Sequence, residues 1–177
     1  MEGTATGTAH VRPMVNYRKQ PRPTYHYNVL FLCTDNSTKS IMAEALLNRF
    51  GGEDFHAHSA GVDPRGEIDP LAVELMKTHR VWHPSLEPKG CHKFLAPDAP
   101  RMDFIITLGE RRPARLPESW PGSPQLIHWR ITEAPQDGEP AKKHHSLRKA
   151  FAELETRIRL FVLVHQHATM HAAPAAA

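Results

Sequence analysis

The stretch from Asn28 to Glu44 constrains the fold most, because an apolar run, a polar loop and a helical pattern follow one another without a break. Residues 29–32 are Val-Leu-Phe-Leu with no polar alternation, which is typical of a strand covered on both faces in a parallel sheet. After Ser40 apolar residues recur at helical spacing as far as the glycine pair 51–52, which predicts a helix with a left-handed stop.

The loop between this strand and this helix, residues 33–40, is predicted to bind an anion. Backbone N–H groups without helical partners and the positive end of the helix dipole converge at a helix N-terminus. Cys33 begins the loop, and the same field is expected to lower the pKa of its thiol. The sequence therefore predicts an anion site with a thiol of lowered pKa at its rim. We call residues 33–40 the anion loop.

Strands and helices alternate along the rest of the chain, which predicts an α/β fold. We expect a doubly wound, four-stranded parallel sheet with helices on both faces and right-handed crossovers. Such sheets bind ligands beyond the carboxyl ends of their strands, where the winding reverses. The further stretches are predicted strands at 55–61, 102–108 and 125–129, and predicted helices beginning at Asp69-Pro70 and running from Leu147 to Val162.

Composition and length predict one domain. A chain of 177 residues suits a single core, for which we take 26–165, with a disordered arm at 1–25 and a disordered tail at 166–177. Two cysteines and no long apolar segment predict a cytoplasmic protein with reduced thiols and no membrane partner. A net charge of +3, spread along the chain, does not predict nucleic-acid binding.

The thirteen histidines do not predict a metal site. Neighbouring pairs occur, but none belongs to the convergent ligand set that a structural zinc ion needs. We therefore expect solvated histidines and no bound metal. The pairs are His56 and His58, His144 and His145, and His167 and His171.

A nucleotide-binding phosphate loop is also excluded, although Lys39-Ser40 follows a buried strand. That motif needs glycines at the positions of Cys33 and Thr38, because only glycine lets the backbone wrap a triphosphate in that way.

The sequence Cys33-Thr-Asp-Asn-Ser-Thr-Lys39-Ser40 resembles the anion loop of the low-molecular-weight protein tyrosine phosphatases and of the arsenate reductases that share their fold. In that family the loop is Cys, five residues, Arg, then Ser or Thr. The resemblance extends from about Tyr27 to Val164, and bacterial arsenate-reductase-like sequences also share the Trp120-Pro-Gly122 turn and the His128-Trp129 pair. It implies a flavodoxin-like topology.

The resemblance also implies roles for individual residues. The Cys33 thiolate would attack phosphorus or arsenic of a small oxyanion or phosphorylated substrate, Lys39 would bind its oxygens, and Glu133 would act as proton donor. Asn36, Ser40 and Ser59 would support the loop. The oxyanion-binding residues so implied are Thr34, Asp35, Asn36, Ser37, Thr38, Lys39 and Ser40.

Four of these positions depart from the family pattern, and the first is Thr38, which replaces a small residue or Cys. Lys39 stands in place of Arg and lacks the planar fork that grips two oxygens. Asp35 stands in place of Gly; an inward carboxylate would repel the anion and raise the Cys33 pKa. Glu133 stands in place of Asp, and its extra methylene moves the carboxyl by more than about an ångström, a displacement that can slow proton transfer by roughly a hundredfold.

The family's two redox cysteines are also replaced, by Gly109 and Pro117. The resemblance then implies that an arsenate reductase of this sequence uses no bound cofactor and depends on an external thiol, such as glutathione with a glutaredoxin, or on Cys91. Two hypotheses follow: an arsenate reductase or phosphomonoester phosphatase, and an impaired member that binds an oxyanion or a protein partner.

Overall fold

The computed structural model describes residues 26–133 and 139–171, with side chains as far as 165. The predicted arm at 1–25 and the residues from 172 onward lie outside the described ranges. The strands are β1 (Tyr27–Cys33), β2 (Phe55–Gly61), β3 (Phe104–Leu108) and β4 (Gln125–Trp129); the helices are α1 (Lys39–Phe50), α2 (Pro70–Thr78) and α3 (Pro140–His171).

The four strands form one parallel sheet in the order β2-β1-β3-β4, which confirms the predicted fold class. The chain passes from β1 to its neighbour on one side and then crosses to β3 on the other side. The winding therefore reverses at β1, and the crevice at that reversal opens beyond Cys33, at the end where the anion loop begins.

The two faces of β1 bury different clusters, which explains why its sequence does not alternate. Val29 and Phe31 pack with α1, α2 and α3, whereas Leu30 and Leu32 pack with Phe94 on the opposite face. All four β1 residues are fully buried. The second face is covered by a short 3-10 helix, Cys91–Leu95, and by the loops around it, so of the helices predicted on both faces this face carries only the 3-10 helix among the described residues.

The predicted helices are present, and α3 is longer than expected at both ends. It begins at Pro140 rather than near Leu147, and it runs through the first residues of the predicted tail to His171. At the end of α1, Gly51 keeps a right-handed conformation and Gly52 has φ +59°, so the left-handed residue is the second glycine. None of the described helices is long and apolar enough to span a membrane.

Asp69 caps α2 and also ties it to α3. Its Oδ1 accepts from the backbone N–H of Leu71 at 2.9 Å, and its Oδ2 lies 2.6 Å from Lys143 Nζ. We expect Asp69→Ala to lower the free energy of unfolding by about 1 to 2 kcal/mol, because both contacts are lost. Asp69→Asn keeps the cap and should lose less than half as much in urea titrations at pH 7. Equal losses in the two variants would contradict a capping role.

Candidate active site

The anion loop encloses the sulfur of Cys33, which is 1% exposed. Sγ lies 2.9 Å from Ser40 Oγ and accepts from the backbone N–H of Asn36 at 3.2 Å. The Ser40 oxygen itself accepts from Asn36 Nδ2 at 2.9 Å, so the hydroxyl hydrogen of Ser40 remains available for the sulfur. Two donors thus converge on Sγ, an arrangement that stabilises a thiolate.

Asn36 is the centre of the loop's support. It has φ +49°, a left-handed conformation that asparagine adopts more easily than most residues. Its Nδ2 donates to Ser59 Oγ at 2.9 Å as well as to Ser40, and its Oδ1 accepts from the backbone N–H of Lys89 at 2.7 Å. The structure therefore brings together the three residues implied as loop supports, and adds Lys89 to them.

Glu44 and Lys89 form a second layer behind the loop that the sequence analysis missed. Ser59 Oγ donates to the Glu44 carboxylate, and Lys89 Nζ lies 3.3 Å from the same oxygen. Burial raises the Glu44 pKa, while Lys89 and the Ser59 hydrogen bond oppose that shift. One signal was available, because Glu44 is a carboxylate within the buried side of α1 between Ala43 and Ala45.

Asp35 points into the loop. Its Oδ1 is 3.6 Å from Cys33 Sγ, within range to accept the thiol hydrogen, and it accepts from the backbone N–H of Ser37 at 3.3 Å. Its Oδ2 lies 3.7 Å from Arg65 Nε. A carboxylate therefore stands directly beside the Cys33 sulfur.

The pKa of the Cys33 thiol is raised in this structure, so the expectation that the loop lowers it is wrong here. Burial is the largest cause, and the charge of Asp35 adds to it. The hydrogen bonds from Ser40 and Asn36 and the charge of Lys39 lower the pKa but do not overcome these effects. The field of the helix alone does not predict the pKa of this thiol once the sulfur is buried and a carboxylate lies beside it.

The alkylation of Cys33 by iodoacetamide should show this raised pKa. In a Cys91→Ser background the rate follows the thiolate fraction, so we expect the native protein's midpoint at a higher pH than that of the same chain unfolded in urea. The unfolded chain provides the matched control, because it carries the same thiol without burial or Asp35. A native midpoint below the unfolded one would show that the loop lowers the pKa.

Lys39 and Glu133, both predicted to be catalytic, form an ion pair at the mouth of the site. Lys39 Nζ lies 3.3 Å from Glu133 Oε1, which also accepts from the backbone N–H of Glu110 at 3.3 Å. Gly109, at φ +138°, leaves room for this carboxylate, because a Cβ there would come within 2.8 Å of Oε1. Glu133 thus occupies space that a side chain at position 109 would need, where the resemblance implies a cysteine in the family.

A cleft of about 90 Å³ opens above the loop and is lined by charges of both signs. The remaining loop residues differ in exposure: Ser37 is 4% exposed, Thr38 is partly exposed and Thr34 is exposed. Cys33 does not line the cleft and lies beneath the loop. The charged lining residues are Asp35, Asp69, Glu133, Lys39, Arg65 and Lys143.

Cys91 lies on the opposite face of the sheet from Cys33. Cys91 packs against the Leu30 and Leu32 cluster, whereas the alternation of β1 puts Cys33 on the face of Phe31. Both cysteines are free. The placement disfavours Cys91 as a partner for the Cys33 sulfur.

Among the residues that the structure describes, no group of three or more His, Cys, Asp or Glu side chains could hold a metal ion. Residues 134–138, which follow Glu133, lie outside the residues that the structure describes.

Three comparisons show what this chain is similar to. The family model described as low molecular weight phosphotyrosine protein phosphatase matches residues 28–168. An arsenate reductase from Halalkalibacterium halodurans is 28% identical over 134 residues, which cover 75% of this chain and 93% of that protein. The structure of an arsenate reductase from Archaeoglobus fulgidus has 27% identity and a TM-score of 0.59, covering 76% of this chain and 98% of that one. A thioredoxin-dependent arsenate reductase from Corynebacterium glutamicum has 26% identity and a TM-score of 0.62, covering 82% and 65%.

Proposed function

The chain belongs to the low-molecular-weight phosphotyrosine protein phosphatase family, and on this premise we propose that it is an enzyme whose Cys33 thiolate attacks arsenate or a phosphate monoester. The observation that carries the proposal is the pair of donors on the sulfur, Ser40 Oγ at 2.9 Å and the Asn36 N–H at 3.2 Å. The Asn36 side chain donates to Ser40 Oγ and to Ser59 Oγ, and these bonds hold both donors in place. The donors therefore need no rearrangement when the thiolate forms.

With a phosphate monoester, the thiolate would attack phosphorus and the ester oxygen would leave. Lys39 and the amides of the anion loop would carry the charge on the non-bridging oxygens. Glu133, 3.3 Å from Lys39 Nζ, would protonate the leaving oxygen when it holds a proton. Water would then cleave the thiophosphate and release inorganic phosphate.

With arsenate, the thiolate would displace hydroxide, which leaves as water after taking up a proton, and would form a sulfur–arsenic(V) bond. An external thiol then attacks the Cys33 sulfur; arsenite leaves as arsenic(III), and the two thiols become a mixed disulfide. A second external thiol restores Cys33. We propose an external reductant because Cys91 packs on the other face of the sheet and Gly109 and Pro117 replace the family's redox cysteines. Glutathione with a glutaredoxin is one candidate, and thioredoxin, on which the Corynebacterium glutamicum relative depends, is the other.

A second candidate function is a binding module for an oxyanion or a protein partner. The inward carboxylate of Asp35 and the raised pKa of Cys33 favour this alternative over turnover, since both oppose formation of the attacking thiolate. The same carboxylate and the pairing of Lys39 with Glu133 also oppose a bound oxyanion, so within this alternative they favour a protein partner.

Two activity assays of the purified protein separate these candidates. One measures hydrolysis of 4-nitrophenyl phosphate, and the other measures arsenite formed from arsenate with glutathione and glutaredoxin or with thioredoxin and its reductase. Turnover above that of heat-unfolded protein in either assay supports the enzyme and identifies its substrate class. If neither assay detects turnover and calorimetry detects binding of orthophosphate, the result supports the binding module.

A further inference from the structure

We propose that the carboxylate of Asp35 is an internal ligand of the oxyanion site, and that a bound oxyanion has to displace it. Asp35 thereby determines how tightly this loop binds any tetrahedral anion. The inference rests on the proposed function only in using the same loop, because it concerns binding and not turnover.

The contacts of Asp35 are those that a substrate oxygen would make. Its Oδ1 accepts from the Ser37 N–H at 3.3 Å and lies 3.6 Å from Cys33 Sγ. A phosphorus or arsenic atom attacked by this sulfur must approach to about 3 to 3.5 Å, with its own oxygens on the loop amides. One position cannot hold both sets of oxygens, so the carboxylate and the substrate exclude each other.

Asp35 also covers the sulfur. The Asp35 side chain is 22% exposed, and Cys33 beneath it is 1% exposed. The thiol can donate its hydrogen to Oδ1, which stabilises the neutral form rather than the nucleophile. Removing the Asp35 carboxylate should therefore both expose the sulfur and favour ionisation of the Cys33 thiol.

The displaced carboxylate has a partner outside the loop. Arg65 Nε lies 3.7 Å from Oδ2, and the Arg65 side chain is 59% exposed. The backbone N–H groups of Arg65 and Asp63 donate to the carbonyl oxygens of Asp35 and Thr34, at 2.8 and 2.9 Å, so this segment stays beside the loop. A rotation of the Asp35 side chain can turn its carboxylate toward Arg65 while the backbone remains fixed.

Isothermal titration with orthophosphate tests the proposal without any assay of turnover. The variants are Asp35→Asn, which retains an oxygen for the Ser37 N–H, and Asp35→Ala, which empties the position. We expect both to bind phosphate at least about tenfold more tightly than the parent, since a like charge beside the anion is removed. In a Cys91→Ser background, Asp35→Ala should also speed alkylation of Cys33 at pH 8.

Asp63→Asn is the matched control, because it removes an equal charge from an exposed carboxylate on the segment bonded to the loop. It should change phosphate affinity by less than about twofold, as screened surface charges do. Circular dichroism and urea unfolding confirm that each variant is folded. The proposal is overturned if folded Asp35 variants bind phosphate no more tightly than Asp63→Asn, or if neither they nor the parent bind it. Absence of turnover, by contrast, would count only against the enzyme.

Discussion

A Cys33→Ser variant is expected to lose the activity of the parent by at least about a thousandfold, in whichever of the two assays the parent is active. A serine hydroxyl at this position ionises far less readily than a thiol. The groups around it are two hydrogen-bond donors, Ser40 Oγ and the Asn36 N–H, and the Asp35 carboxylate, which is already paired with Arg65. Arsenate reduction should fall to background, because an alkoxide cannot form the disulfide that the electron balance requires.

Cys91→Ser is the control for this loss. Cys91 packs on the opposite face of the sheet, so its removal should leave both the activity and the requirement for an external thiol unchanged. Activity that survives in Cys33→Ser would move the chemistry away from the anion loop altogether. Activity lost in both single variants would show that Cys91 resolves the Cys33 adduct, against the placement seen in the structure.

The parts of the site that the sequence predicted are those fixed by local pattern. The unbroken apolar run of 29–32 placed Cys33 at the end of a central strand, and the helical spacing after Ser40 placed a helix N-terminus across from it. Because both features follow from residues within one short stretch, no long-range contact was needed. The family resemblance added Asn36 and Ser59, whose hydrogen bond the structure contains.

The direction of Asp35 was not predictable, because it depends on a side-chain rotation and on an arginine thirty positions further along the chain. Lys89 was missed because it lies in a proline-rich passage without periodicity, and it reaches the site through a backbone N–H as well as a side chain. The Cys33 pKa was misjudged for a related reason. The helix field can be deduced from sequence, whereas burial and an inward carboxylate are consequences of packing.

Asn36→Ala is expected to lower the free energy of unfolding by about 3 to 5 kcal/mol, a large part of the stability of a domain this size. The change removes one hydrogen bond each from the buried Ser40 and Ser59 hydroxyls and from the part-buried backbone N–H of Lys89. It also puts alanine at φ +49°, which costs about 1 to 2 kcal/mol by itself. Urea unfolding followed by tryptophan fluorescence measures the loss.

Two further variants separate the contributions. Asn36→Gly adopts the left-handed conformation without strain, so it should be less destabilised than Asn36→Ala while losing the same hydrogen bonds. Asn48→Ala removes an asparagine that also makes two bonds, to the N–H and carbonyl of Ala57, but its side chain is exposed, these bonds are only part-buried, and its position is an ordinary helical one. It should cost only about 1 kcal/mol. Similar losses in Asn36→Ala and Asn48→Ala would mean that the buried network does not hold the loop, and the support inferred for the Cys33 thiolate would then have no energetic basis.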